Sequence, residues 1–207
     1  MKTKKITALF LISFLLALPV FAHDLFLKLD TYFVKVNQKI SISVFNGTFQ
    51  KSEGAVTFAR LTDTSVVSPS GAVSHPVEAD LTKNETMAFL NVTPTEAGNY
   101  IAGLSTMWRE SSLPAAEFNK YLPAEGIPDI LENRKRDGEL DKDARYRYSK
   151  YVKTIFQAGN KTTDSYKTIL GYAVEMVPQQ NPYKLKKGNS LDILPSRMAN
   201  RSPGRSS

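Results

Sequence analysis

Two histidines, His23 and His75, are the only imidazole side chains in this 207-residue sequence, which contains no cysteine. His23 follows residues 20–22, whose Val-Phe-Ala sequence fits the small-residue rule for signal-peptide cleavage. A chain cut before His23 presents an α-amino group and an imidazole on one residue, which is a two-nitrogen chelate for copper, nickel or zinc. Asp24 adds a carboxylate oxygen next to this chelate. The alternative is a secreted domain whose first residue happens to be histidine.

His75 offers a third nitrogen ligand. Together with the amino terminus and His23 it would complete a histidine brace, the arrangement found in copper-binding sandwiches and copper monooxygenases. Against this, His75 and Pro76 fall in a predicted loop, where a solvated histidine is common. The predicted metal site therefore comprises His23, His75 and Asp24, with nickel, cobalt or copper as the ion and no tightly bound cofactor.

The first 22 residues have the character of a secretory signal peptide. Three lysines precede a nearly continuous apolar run over residues 6–17, which is too short to span a bilayer. No later stretch reaches about 18 apolar residues, so no membrane span is expected after cleavage. We therefore expect a periplasmic protein of 185 residues, because removing 22 of the 207 leaves that number.

The formal net charge of +7 is concentrated at the two ends of the chain. Three positive charges come from lysines of the signal segment and three from arginines in the last fourteen residues, which leaves +1 for the body. A nucleic-acid surface needs a clustered basic face, so no nucleic-acid partner is predicted. The absence of cysteine excludes disulfides and thiol nucleophiles.

Short alternating segments predict a mainly β fold. They cover residues 25–45, 55–61, 65–68, 87–92, 99–104 and 171–177. Asn46-Gly47 is a turn signal, and the sequence before Tyr100 is typical of the tyrosine corner of immunoglobulin-like domains. The expected fold is an immunoglobulin-like antiparallel β-sandwich over residues 23–178.

A helical insertion is predicted at about residues 113–158. Residues 114–121 and 127–136 are typical of short helices, and residues 141–157 are the strongest helix prediction. In that last segment Ala144, Tyr148, Tyr151, Val152 and Ile155 recur at helical spacing as a buried stripe, which leaves Lys150 and Lys153 outside it.

The last 29 residues, 179–207, do not continue the pattern of the predicted sandwich. Residues 179–191 resemble the approach to a second β domain, which is otherwise missing. Residues 192–207 lack periodicity and are rich in Ser, Pro, Gly and Arg, so they are predicted to be a frameshifted or disordered tail that makes no core contacts.

Four segments carry a resemblance to a known family: residues 22–27, 118–127 and 147–153, and the Asn181-Pro182-Tyr183 motif. The sequence resembles a periplasmic family of unknown function that is associated with nickel or cobalt transport, some of whose members lie beside metal-uptake systems. The resemblance implies a mature chain that starts at or near a histidine. It also implies a second small β domain after Asn-Pro-Tyr.

The leading hypothesis is a soluble, non-catalytic periplasmic protein that assists uptake or delivery of nickel or cobalt, with a metal-uptake permease as partner. The alternative is a non-metal interaction or ligand-binding sandwich, and a third hypothesis is a copper monooxygenase that uses the histidine brace. No Gly-x-Ser-x-Gly elbow or phosphate-binding glycine loop is present, so other enzyme classes are disfavoured.

The cleavage rule makes a direct prediction. Protein secreted from a Gram-negative host should begin at His23, because residues 20–22 satisfy the small-residue rule. Amino-terminal sequencing or intact mass measurement checks this. A different first residue, or retention of the apolar segment, contradicts the prediction.

Overall fold

The computed structural model describes residues 24–197, and within them the chain is mainly β. In chain order the strands are β1 (Asp24–Lys28), β2 (Phe33–Val34), β3 (Ile40–Gly47), β4 (Leu61–Val67), β5 (Val73–Ser74), β6 (Leu81–Lys83), β7 (Ala88–Val92), β8 (Gly98–Thr106), β9 (Arg109–Leu113), β10 (Ala144–Tyr148), β11 (Tyr151–Ala158), β12 (Val174–Pro178) and β13 (Ile193–Arg197). The helices are α1 (Ala115–Ala124) and α2 (Pro128–Arg136).

Two sheets form the sandwich. The four-stranded sheet has the order β1-β3-β7-β6 and is antiparallel throughout. The five-stranded sheet has the order β2-β11-β8-β4-β5, in which the short β2 pairs in parallel with β11 and the other pairings are antiparallel. The ribbons β9–β10 and β12–β13 are separate. The prediction of an antiparallel β-sandwich with an inserted helical segment is confirmed.

The core lies between the inner faces of these sheets. Alternate residues such as Ile42 and Val44 of β3 face Leu104 of β8 and Phe156 of β11 in one cluster of buried side chains. Each such side chain stabilises the fold by roughly 1.5–3 kcal/mol relative to an exposed one. In β3 the period-two alternation marks the buried face, whereas β8, at the centre of its sheet, is buried at every position.

The tyrosine corner is present as predicted. The Tyr100 hydroxyl accepts a hydrogen bond from the backbone N–H of Glu96 at 2.9 Å and donates to its carbonyl oxygen at 3.2 Å. The Tyr100 ring stacks on Phe156 with 5.2 Å between the ring centroids. This corner fixes the entry of the chain into β8, the central strand of the five-stranded sheet.

The predicted helix over residues 141–157 is wrong. This stretch contains β10, which pairs with β9, and most of β11, which pairs with β8 along its whole length. In β11 Thr154, Phe156 and Ala158 are buried at a spacing of two, and Gln157 is buried as well. The side chain of Lys153 is buried rather than solvated. Aromatic and β-branched residues favour the strand, and tertiary pairing overrides a helical spacing that was coincidental.

Two other local predictions also need correction. Asn46-Gly47 belongs to the end of β3, and the turn comes afterwards, where the Thr48 N–H donates to the Lys51 carbonyl oxygen. The prediction of a strand over residues 55–61 is wrong, because Phe58–Arg60 form a 3-10 turn and β4 begins at Leu61.

The two confirmed helices pack on the β9–β10 ribbon rather than on the main core. Phe118 and Leu122 of α1 form a small cluster with Ala144 of β10. Arg134 of α2 is buried beneath them, where its guanidinium donates to the Asn119 side chain and to two backbone carbonyl oxygens. Among the described residues, neither helix is long and apolar enough to cross a membrane.

The expectation of an unstructured chain beyond about residue 191 is wrong for Ile193–Arg197. These residues form β13, whose backbone pairs antiparallel with β12. Ile193 and Leu194 remain about half exposed, so the strand is held mainly by its backbone ladder and not by core packing. Residues 198–207 lie outside the described residues, and the second β domain and the frameshift stay predictions.

Gly103 in the centre of β8 leads to a prediction about stability. A Cβ atom at this position would collide with Leu170 and approach the Tyr172 hydroxyl to 2.9 Å, whereas one at Gly54 would meet no atom within 4 Å. We expect Gly103→Ala to lower the free energy of unfolding by about 1–3 kcal/mol through overpacking. Gly54→Ala, the matched control, should be neutral or stabilise by up to about 1 kcal/mol. Urea denaturation measures both, and equal effects would contradict the packing argument.

Candidate functional site

The predicted site residues lie in different parts of the molecule. His23 is outside the described residues. Asp24 opens β1 opposite Gly47, with an exposed side chain at the edge strand of the four-stranded sheet. His75 follows β5, the edge strand of the five-stranded sheet. Asp24 therefore lies in one sheet, and His75 lies in the loop after an edge strand of the other sheet.

His75 is held on one side and open on the other. Its Nδ1 lies 3.0 Å from Asp63 Oδ1 and 3.0 Å from the Thr64 carbonyl oxygen. The side chain is nevertheless 65% exposed. With the proton on Nδ1, both contacts are hydrogen bonds and Nε2 keeps its lone pair. This carboxylate–histidine pairing is the one that orients many metal-binding imidazoles.

A β-bulge turns Asp63 toward His75. The pairing of β4 with β8 skips a residue between Leu61 and Asp63. Leu61 and Val66 both face the core although they are five positions apart, so the bulge has shifted the alternation by one. As a result Asp63 and Ser65 lie on the outer face of the five-stranded sheet, which a regular strand starting at Leu61 would not give.

Asp63 is itself held by two hydroxyl groups. Ser65 Oγ donates to Asp63 Oδ2 at 2.6 Å, and the Tyr172 hydroxyl donates to the same oxygen at 2.7 Å. Burial, together with the neighbouring Asp63 carboxylate, raises the pKa of Tyr172 well above its ordinary value, so the hydroxyl stays a donor. Tyr172 reaches Asp63 across Gly103, which leaves the space for its ring.

Glu175 stabilises the loop that positions Tyr172. Its carboxylate accepts backbone N–H bonds from Leu170, Gly171 and Tyr172 at 2.8–3.0 Å. It also accepts from Lys153 Nζ at 2.9 Å, and both side chains of this pair are more than nine-tenths buried. Burial raises the pKa of Glu175, but the backbone N–H groups and Lys153 outweigh it, so the pKa is lowered.

His75 and Asp63 provide two possible metal ligands, which do not make a complete metal site. Within residues 24–197 no three His, Cys, Asp or Glu side chains form a group that could hold a metal ion. Asp63 already accepts three hydrogen-bond contacts, which suits a carboxylate that orients an imidazole. Any complete site built on these residues needs a donor from another segment.

A second feature, missed at the level of sequence, is a cavity of about 240 Å³ beside the start of β1. Among the described residues that line it, three carry cationic side chains and several others are polar. It is lined by Leu25, Asn46, Ala55, Val56, Thr57, Arg60, Thr106, Arg109, Tyr148 and Lys150. Burial and the positive charge of Arg60 lower the pKa of Lys150, and the acidic groups Asp24 and Glu125 act in the opposite direction.

A family model described as "Domain of unknown function (DUF4198)" matches residues 20–194. The chain belongs to this family. The matched range includes His23, Asp24 and His75, and the predicted membership in a family of unknown function is confirmed. A comparison with curated proteins gave no match. For this DUF4198 protein the association with nickel or cobalt transport stays a prediction.

Glu175 makes the network testable through acid stability. We expect Glu175→Gln to lower the free energy of unfolding at pH 7 by roughly 3 kcal/mol, because it leaves the buried Lys153 charge without a counter-charge. The folded-state pKa of Glu175 is lowered, so its contribution is present above the ordinary value of about 4.3 and is lost as the pH falls through the lowered pKa. The difference between the two proteins should therefore shrink in acid.

Urea denaturation between pH 7 and pH 3 measures this difference. Glu132→Gln is the matched control, since Glu132 forms an exposed pair with Lys135 on α2 and should change stability by less than about 0.5 kcal/mol. A Glu175 variant as stable as the Glu132 variant at pH 7 would show that the buried pair does not hold the loop.

Proposed function

We propose that this protein binds a divalent transition-metal ion, nickel or cobalt, at the amino terminus of its processed chain. It acts in the periplasm without catalysis and passes the ion to a metal-uptake permease. The α-amino and imidazole nitrogens of His23 form the chelate, and Asp24 supplies an oxygen. Nitrogen and oxygen donors of this kind suit nickel and cobalt.

The observation that carries this proposal is the position of Asp24. It is the first residue of β1, its backbone pairs with Gly47, and its side chain is exposed. Because consecutive Cα atoms are about 3.8 Å apart, donors on residue 23 act close to the carboxylate of Asp24, whose backbone is held in β1. A chelate next to an ordered strand loses less conformational entropy on binding an ion than one on a free tail.

His75 is a separate question within the proposal. Its Nδ1 is engaged by Asp63 and Thr64, so only Nε2 remains to bind an ion. The His23 chelate does not require it. A copper monooxygenase, by contrast, needs both histidines on one ion, and the monooxygenase hypothesis depends on that ligand set.

Calorimetric titration of the metal-free processed protein with Ni²⁺ tests the chelate. A form that keeps one methionine before His23 converts the His23 amino nitrogen into an amide. We expect this form and Asp24→Asn to bind more weakly. The Kd of the extended form should rise roughly tenfold or more, which corresponds to about 1.4 kcal/mol or more of lost binding free energy.

The matched control is Asp30→Asn, which removes one exposed carboxylate shortly after β1 and should leave Kd unchanged. His75→Ala should also leave Kd unchanged if the chelate is confined to the amino terminus. A loss in His75→Ala as large as in the extended form would instead support a three-nitrogen brace. Equal Kd values for the processed and extended forms would overturn the proposal.

A further inference from the structure

The cavity beside β1 concentrates positive charge in a body that is otherwise nearly neutral. Arg60, Arg109 and Lys150 all line it, and none of the described residues that line it is acidic. The three residues come from distant parts of the sequence. Asp24 and Glu125 act electrostatically on Lys150 and offset part of its charge. The repulsion between the like charges of Arg60 and Arg109 is the cost that a bound anion removes.

The backbone around the three cations is fixed. Arg60 ends a 3-10 turn, and its carbonyl oxygen accepts from the Met107 N–H at 2.9 Å. Lys150 is tied to Thr106 twice, because its N–H donates to the Thr106 hydroxyl at 2.9 Å and its carbonyl oxygen accepts from the Thr106 N–H at 3.0 Å. Arg109 begins β9, which pairs antiparallel with β10. The three cations are therefore presented by hydrogen-bonded segments and not by free loops.

The arginines of this region differ in whether they form ion pairs with carboxylates. Arg145 and Arg147, on the neighbouring strand β10, both pair with Glu110. Within residues 24–197, by contrast, the guanidinium groups of Arg60 and Arg109 form no ion pair with a carboxylate. A guanidinium presents its N–H groups as a fork that matches two oxygens of a carboxylate or of a phosphate.

We propose that this cavity binds a small organic anion that carries carboxylate groups. Its volume of about 240 Å³ is below the range of about 300–1,000 Å³ that is usual for drug-sized ligands, so the ligand is small. Asn46, Thr57 and Tyr148 add hydrogen-bonding groups, and Leu25 and Val56 add apolar contact. A lining that combines cationic, hydrogen-bonding and apolar side chains suits a carbon skeleton with carboxylates better than a bare inorganic anion. This inference does not depend on metal binding at His23.

Titration of the metal-free protein at about 0.15 M salt, near physiological ionic strength, tests the site. The probes are citrate, succinate and inorganic phosphate, followed by calorimetry and by saturation-transfer NMR of the ligand. We expect citrate or succinate to bind at least ten times more tightly than phosphate. Arg60→Gln and Arg109→Gln should each weaken the organic anion at least tenfold, and circular dichroism checks that both variants fold.

Arg136→Gln is the matched control. It removes the same charge from α2, where Arg136 contacts Asp137, and it should change the affinity less than twofold. Equal losses in Arg136→Gln and Arg60→Gln would reduce the effect to net charge and overturn the site. Phosphate binding as tight as citrate would overturn the organic class, and no binding of any probe at millimolar concentration would overturn the inference. None of these outcomes depends on nickel.

Discussion

The buried ion pair between Lys153 and Glu175 is the interaction on which the outer face of the five-stranded sheet depends. Two charges removed from water must be compensated by each other and by further hydrogen bonds, or the fold loses several kcal/mol. Glu175 meets this demand by accepting from Lys153 and from three successive backbone N–H groups. The pair therefore joins β11 to β12 and fixes the loop between Leu170 and Tyr172.

From that loop the contacts continue to the candidate site. Tyr172 crosses Gly103 and donates to Asp63, and Asp63 contacts the imidazole of His75. Each step has a steric or electrostatic cause: a glycine that leaves space, a hydroxyl that stays protonated and a bulge that turns the carboxylate outward. The exposed histidine is thus positioned by a chain of contacts that begins in a buried pair on another strand.

The segment after β12 is joined to the same sandwich by polar side chains. Asn181 Nδ2 donates to Asn99 Oδ1 at 2.8 Å and to the Thr163 carbonyl oxygen at 3.0 Å. Tyr183 donates from its hydroxyl to the Ile155 carbonyl oxygen at 2.9 Å. The Asn-Pro-Tyr motif therefore has a structural role in this chain, because buried polar groups need partners and these bonds supply them. The candidate chemistry lies elsewhere, at Asp24, at His75 and in the cationic cavity.

The sequence by itself determined much of the architecture. Period-two alternation predicted the core strands, the tyrosine corner was visible before Tyr100, and the two short helices were found close to their observed bounds. These predictions are correct because each depends on a local pattern of apolar and polar residues that are neighbours in the sequence.

Tertiary structure decided the rest. Whether residues 144–158 are helix or strand depends on pairing with β8 and β9, and those contacts span more than 30 residues of sequence. The outward turn of Asp63 depends on a bulge set by the register between β4 and β8. Arg60, Arg109 and Lys150 line one cavity because the fold brings three separate segments of the chain together. No local pattern encodes these events, because each arises from contacts between residues that are close in space and distant along the chain.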